Sequence, residues 1–214
     1  MRLILPLLLG AWLLAPPARA IDHTPVATDA PAGRTLVDRL RAGGLALYFR
    51  HADTLGMPCD RTFRVDDPAG QRHLSAAGRA QAAAIGKALA ELGVPIAKPV
   101  QAGPVRRARD TAEIAFGAES VVVVDGLTAD DHAGDRLAWV LAEHRRLMAT
   151  PPPPGANHVL VGHRTPAIMT LGQAVGGRAF PEGAAIVIDP TPGGPSILGV
   201  WMPAPIAGAG FHGC

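Results

Sequence analysis

Residues 45–53 read Leu-Ala-Leu-Tyr-Phe-Arg-His-Ala-Asp. The first five have the length and apolar character of a buried strand. Arg50 and His51 follow where that strand should end. Open α/β sheets gather their ligands at the carboxyl ends of strands, so an arginine and a histidine at a strand tip point to chemistry before packing. Two later stretches offer matching features: Pro-Val-Arg-Arg-Ala-Arg-Asp-Thr-Ala at 104–112 and Val-Leu-Val-Gly-His-Arg at 159–164.

Upstream, Leu36, Val37 and Leu40 recur at helical spacing within 34–43, and Gly43-Gly44 can close that helix. Downstream, residues 54–72 mix Gly, Pro, Cys and Asp without a period and read as a long loop over a site. Ser75 can cap a helix over 76–92, stopped by Gly93 and Pro95. Residues 99–102 suit a short strand. A helix follows from 104, with Ala108, Ala112 and Ala115 on one face. Ser-Val-Val-Val-Val at 120–124 suits a buried strand. Thr128, Asp130 or Asp131 can cap a helix carrying Leu137, Val140, Leu141 and Leu147. After a proline-rich linker at 151–155 come a strand at 159–161, a helix at 166–175, and two strands at 183–188 and 197–201 that can form a hairpin. Trp139 and Trp201 read as core or half-core residues. Alternating strands and helices predict an α/β fold: a three-layer α/β/α sandwich around a mostly parallel central sheet. One domain is expected over 34–214, with 21–33 as a partly ordered leader.

Residues 1–20 read as a secretory signal peptide: Arg2, an uncharged, mostly apolar run at 3–14, and Ala-Arg-Ala at 18–20. The run is short for a membrane span. Export to the periplasm or the medium is therefore expected, with no stable membrane insertion after cleavage. Cleavage removes two of the 20 basic residues and none of the 18 acidic ones, bringing the formal charge from +2 to zero. That balance argues against nucleic acid as a partner. Oligomeric state is not legible. Cys59 and Cys214 can form one disulfide in an oxidising compartment. Their distance apart, and the lack of Cys-x-x-Cys or His-x-x-x-His spacing, speak against a metal site. No Gly-x-Ser-x-Gly and no Gly-x-x-x-x-Gly-Lys-Ser/Thr occurs, and no cofactor is expected.

A neutral, positioned imidazole is a nucleophile. With arginines beside it, the natural target is a phosphoryl group, whose transfer needs positioning and cationic stabilisation of its oxygens. Arg50 and Arg107 can supply bidentate forks, and His163 a further hydrogen bond.

These residues lie in a larger pattern. Arg50-His51-Ala52, Leu74-Ser75-x-x-Gly78-x-x-Gln81-Ala82, Gly103-Pro104-x-x-Arg107-Ala108-x-x-Thr111-Ala112 and Gly162-His163 occur in this order. The chain resembles the histidine phosphatase, or phosphoglycerate mutase-like, superfamily over about 45–201. The resemblance implies a phosphoglycerate mutase-like fold. It implies His51 as the nucleophile that becomes phosphohistidine, Arg50 and Arg107 holding the phosphate, and His163 completing the pocket. Register against Thr111 selects Arg107; Arg106 and Arg109 then read as solvent-facing helix charges. Gly103 stands where the family has serine. The family's general acid matches no single residue here: Asp130, Asp131, a carboxylate in the 54–67 loop, or none can fill the role, with Asp130 foremost. Arg61 and Arg164 can extend the positive pocket toward a second phosphate or a carboxylate, although simple solvent exposure is the favoured account of both. The other histidines receive no role. The expected activity is metal-independent hydrolysis of a small phosphomonoester. The alternative is a non-enzymatic phospholigand-binding envelope protein that keeps the fold.

Overall fold

The computed structural model describes residues 23–191, 194–208 and 210–212. Residues 1–20, read as a signal peptide, and Cys214 of the expected disulfide lie outside them. No helix among the described residues is long and apolar enough to cross a membrane.

The strands are β1 (Val26–Ala27), β2 (Ala46–Arg50), β3 (Val100–Ala102), β4 (Val121–Val123), β5 (His158–Gly162), β6 (Ala185–Thr191) and β7 (Gly194–Met202). They form one sheet in the order β1-β7-β6-β2-β5-β3-β4. β2, β5, β3 and β4 pair in parallel, as does β1 with β7. β6 runs antiparallel to both β2 and β7, so the expected hairpin forms, but it does not finish the sheet: β1 adds outside β7 as the edge strand. The sheet is mixed, and its parallel half carries the strand tips of interest.

The alternation of side chains across β2 builds both faces of the core. Leu47 and Phe49 point to a layer holding α1 (Pro31–Ala42), α2 (Ala76–Glu91) and α3 (Arg106–Phe116), where they meet Leu40, Ile85 and Ala112. Ala46 and Tyr48 point to the other layer, with Leu147 and Met148 of α5 (Leu137–Ala149) and Ala167 of α6 (Arg164–Leu171). A strand buried on both faces reads as a continuous apolar run, which is what residues 45–49 show. The three-layer expectation holds.

Four local readings differ. The ordered fold begins before Arg34: within the stretch read as a leader, Val26–Ala27 pairs with β7, and α1 starts at Pro31, where a proline suits the first helical turn. The valine run at 120–124 is not buried. Its strand is the sheet edge, so Val122 and Val123 remain 40% and 39% exposed. A β-branched run records strand propensity but not which end of a sheet it occupies. The helix expected after 128 is interrupted: α4 (Asp130–Ala133) ends at Gly134, whose φ of 51° leaves the helical region, and α5 begins three residues later. Trp139 faces outward beneath the Arg136 guanidinium, 4.6 Å from the ring centroid, whereas Trp201 is fully buried. A cation over an indole face stabilises an exposed tryptophan without core burial.

Candidate active site

β2 and β5 are parallel neighbours in a register that sets Arg50 opposite Gly162. The residues that follow, His51 and His163, therefore leave the sheet side by side, with ring centroids 5.5 Å apart. The His51 backbone N–H donates to the Gly162 carbonyl at 3.0 Å. α3 follows β3, two strands away from β2, and places Arg107 at the same end. These residues line one cavity of about 350 Å³ together with Arg72, Asp130, Asp131, Arg164, Thr165, Phe211 and His212. All five residues with a role read from the sequence (Arg50, His51, Arg107, Asp130 and His163) meet there.

The His51 ring has a defined tautomer. Its Nδ1 lies 2.9 Å from the Ala52 carbonyl oxygen. A carbonyl only accepts, so Nδ1 carries the hydrogen and Nε2 the lone pair. Burial, and after it the charges of Arg107 and Arg50, hold this imidazole well below its usual range, so it is neutral. His163 is likewise held neutral, by burial first and then Arg107, and its buried Nε2 has no partner among the described residues. A neutral ring donates one N–H rather than two.

Each site arginine is anchored differently. Arg50 donates to the carbonyls of Phe180 and Gly210 at 3.2 and 3.1 Å, and to Glu182 Oε1 at 3.2 Å. Burial lowers its pKa to about 10 despite Glu182. Arg107 donates through Nη1 to both oxygens of Asp60, at 3.2 and 3.0 Å. The long loop after β2 thus holds a site arginine through its own carboxylate. Nε of Arg50 and of Arg107 is buried without a protein acceptor among the described residues. Unpaired buried N–H groups are costly, and here they converge on one cavity beside two histidines.

The remaining motif residues hold the 51–53 loop. Thr111 Oγ1 accepts the Ala52 N–H at 2.9 Å and donates to the Arg107 carbonyl at 2.7 Å. Gln81 Oε1 accepts the Asp53 N–H at 2.9 Å. Ser75 caps α2 by accepting from the Gly78 N–H, and its hydroxyl also reaches the Asp53 carboxylate. A Cβ on Gly78 would stand 1.9 Å from the Asp53 carbonyl oxygen, so only glycine lets α2 approach this loop. Gly103 has the same explanation: a Cβ there would lie 2.2 Å from the Leu127 carbonyl oxygen. The departure from serine is thus required by the close approach of 125–127.

The two neighbouring aspartates are distinguished. Asp130 is half-buried, and burial followed by Asp131 raises its pKa. Asp131 is more exposed and accepts from His132 Nδ1 at 2.8 Å; burial opposes its ionisation, but the His132 contact prevails and its pKa is lowered. Asp60, in the 54–67 loop, is engaged by Arg107. Arg164 lines the cavity, whereas Arg61 is exposed and donates to the Ala69 carbonyl at 2.7 Å. Arg109 pairs with Glu113 on the surface, and Arg106 with buried Asp110 at 2.7 Å.

Sequence reading missed Arg72, Glu182 and His212. Glu182 is 1% exposed; besides Arg50, it accepts from Thr54 Oγ1 at 3.0 Å, and its Oε2 lies 2.8 Å from His212 Nδ1. Neither Glu182 nor His212 stands in a motif or beside a strand tip of the parallel half, so no local signal marks them. Arg72 stands two residues before Leu74-Ser75, but its burial was not legible. A larger apolar groove, about 530 Å³, lies between α1 and residues 202–205. Arg34 and Arg41 at its wall already bond the Asp29 carbonyl and Asp38, and no histidine lines it.

The family model "Histidine phosphatase superfamily (branch 1)" matches residues 47–171, more than half of the chain. The chain belongs to the histidine phosphatase superfamily. Among solved structures it is similar to a mycobacterial glucosyl-3-phosphoglycerate phosphatase in complex with VO3 (20% identity, TM-score 0.51, covering 75% of this chain and 99% of that one). It is also similar to mycobacterial hydrolase 2 (21% identity, TM-score 0.51, covering 77% and 93%). The protein histidine phosphatase SixA complexed with tungstate shares 19% identity, with a TM-score of 0.49, over 74% of this chain and 97% of that one. No match was found among curated proteins. The superfamily segment ends before Phe211 and His212, so the cavity of this histidine phosphatase superfamily member is completed by residues outside the matched segment.

Proposed function

We propose that the protein hydrolyses small phosphomonoesters through a phosphohistidine on Nε2 of His51. The observation that carries this reading is the His51 Nδ1–H bond to the Ala52 carbonyl, which leaves the Nε2 lone pair on a buried neutral ring among arginines. Nε2 attacks phosphorus in line, and the P–O ester bond breaks. Arg50 and Arg107 hold the non-bridging oxygens and stabilise their charge. A dianionic phosphoryl group would also favour the protonated form of His163, which then donates to another oxygen.

Asp130 is assigned as the acid. Burial raises its pKa, which favours the protonated carboxyl beside the cavity, and its proton passes to the departing ester oxygen. Water then attacks the phosphohistidine and gives a proton to the Asp130 carboxylate. The P–N bond breaks, its electron pair returns to Nε2, and inorganic phosphate leaves. No step calls for a metal. Hydrolysis is favoured over mutase chemistry because residues 1–20 read as a signal peptide, and glycolytic intermediates are not expected in the periplasm or the medium.

The test is turnover of an aryl phosphate by wild type and His51→Ala, with EDTA throughout, together with acid-sensitive trapping of labelled phosphate. Wild-type turnover that survives chelation, with both turnover and label lost in the variant, supports the reading. Equal turnover in both proteins removes His51 as nucleophile. Phosphate binding without turnover or label favours the binding-protein alternative.

A further inference from the structure

Arg72 closes the long loop between β2 and α2 and lines the same cavity as Arg50 and Arg107. It is 6% exposed. Its backbone N–H donates to Asp60 Oδ1, the carboxylate that also holds Arg107. The main chain is therefore fixed, and the side chain must enter the cavity region. The guanidinium makes no hydrogen bond to another described residue, and both Nε and Nη1 are fully buried.

The contrast with its neighbours is chemical. Arg50 is bonded to Glu182, and Arg107 to Asp60. Arg72 has no carboxylate in contact, only the more distant fields of Glu182, Asp60 and Asp131. A buried cation without a bonded acceptor is strongly unfavourable, and the nearby charge of Arg107 adds to the cost. Packing does not explain such a group, because an apolar side chain of similar length would fill the space without that penalty. An anion in the cavity does explain it. Its Nε and Nη1 have no acceptor among the described residues, and Arg50 and Arg107 have already committed several of their donors to protein oxygens.

We propose that Arg72 is a third phosphoryl-binding arginine, donating from its unpaired guanidinium nitrogens to a non-bridging oxygen of the group held by Arg50 and Arg107. The proposal rests on the phosphoryl-site reading above. It gives each of the three non-bridging oxygens of a monoester its own arginine, and it makes the 54–75 loop a binding element as well as a cover.

The test is thermal melting of wild type, Arg72→Met and Arg72→Lys against increasing inorganic phosphate, with aryl phosphate kinetics alongside. Without phosphate, Arg72→Met is expected to melt at or above the wild-type temperature, because an unpaired buried charge is gone. Its phosphate affinity should fall by about 10- to 100-fold, as for loss of a hydrogen bond to a charged group. Arg72→Lys should fall between, since it keeps the charge but not the fork. An Arg72→Met protein that keeps wild-type phosphate affinity overturns the proposal. If Arg72→Met does not fold, Arg72→Lys decides: weakened affinity supports the role, and wild-type affinity overturns it. A wild type that shows no phosphate-dependent shift overturns the phosphoryl-site reading itself, which separates the two failures.

Discussion

The Tyr48 hydroxyl clasps the backbone of His163. It lies 3.0 Å from both the N–H and the carbonyl oxygen of that residue, and 3.1 Å from His144 Nε2. It accepts from the His163 N–H, and its single proton serves either the carbonyl or the histidine ring. Tyr48 sits in the middle of β2, so the strand that delivers His51 also fixes the residue opposite. Burial pushes the phenol's pKa up, so it remains a donor throughout the working pH range.

Tyr48→Phe should leave the His163 N–H buried and unsatisfied, at a cost of about 1–3 kcal/mol. The same loss of positioning should lower kcat, by up to about 100-fold for a displacement near 1 Å. Urea unfolding and steady-state kinetics on an aryl phosphate check the two effects. A variant with unchanged kcat would show that His163 is held well enough by β5 alone.

Restoring the family serine should harm this chain. In Gly103→Ser the new Cβ meets the Leu127 carbonyl oxygen at 2.2 Å, and relief requires the backbone of 125–127 to move. Overpacking of this kind costs about 1–3 kcal/mol. Because Ala129 and Asp130 follow directly, activity should fall with stability. A melting curve beside an activity assay tests this, and a more active Gly103→Ser would contradict it.

Glu182 should behave as part of the site despite lying outside the motifs. Glu182→Ala removes the carboxylate from Arg50, Thr54 and His212 at once. Breaking one side of a buried ion pair costs about 3–5 kcal/mol. Equilibrium unfolding should show that loss, and Glu182→Gln a smaller one. Values near zero for Glu182→Ala would mean that Arg50 is held by its two carbonyl acceptors alone.

Stability should fall in mild acid. His51, His163 and His144 all have pKa values lowered chiefly by burial. Below about pH 6.5 the unfolded chain binds protons that the folded protein refuses, so stability rises with pH through that window and is lost as pH drops. Each such histidine contributes at most about 1.4 kcal/mol per pH unit. Unfolding free energies at pH 7, 6 and 5 measure the slope, and His51→Asn/His163→Asn should flatten it. An identical slope in that variant would place the proton uptake elsewhere.

The acid role proposed for Asp130 has a leaving-group signature. Asp130→Asn should slow hydrolysis of an alkyl phosphate by about 100-fold or more, the usual weight of general acid catalysis. A p-nitrophenyl ester, whose leaving group needs little protonation, should lose far less. Equal losses on both esters would assign Asp130 to binding or structure.

The sequence by itself determined the layered α/β fold and pointed to five of the residues that meet in the cavity. Burial of β2 on both faces requires an unbroken apolar run, and the turn from strand to site is marked by Arg50 and His51. The spacing of Thr111, Gln81 and Gly78 was legible as motif, and each contacts the 51–53 loop, Gly78 at an approach that only glycine allows. Tertiary structure alone decided which arginines are buried. Arg72 and Arg61 lie in the same loop and look alike in sequence, yet one enters the cavity and the other faces water. It also decided the edge position of β4 and the arrival of Glu182 and His212 at the site, more than 100 residues along the chain from their partner Thr54. Local patterns record what a residue can do. Desolvation and long-range pairing depend on which distant segments pack against it.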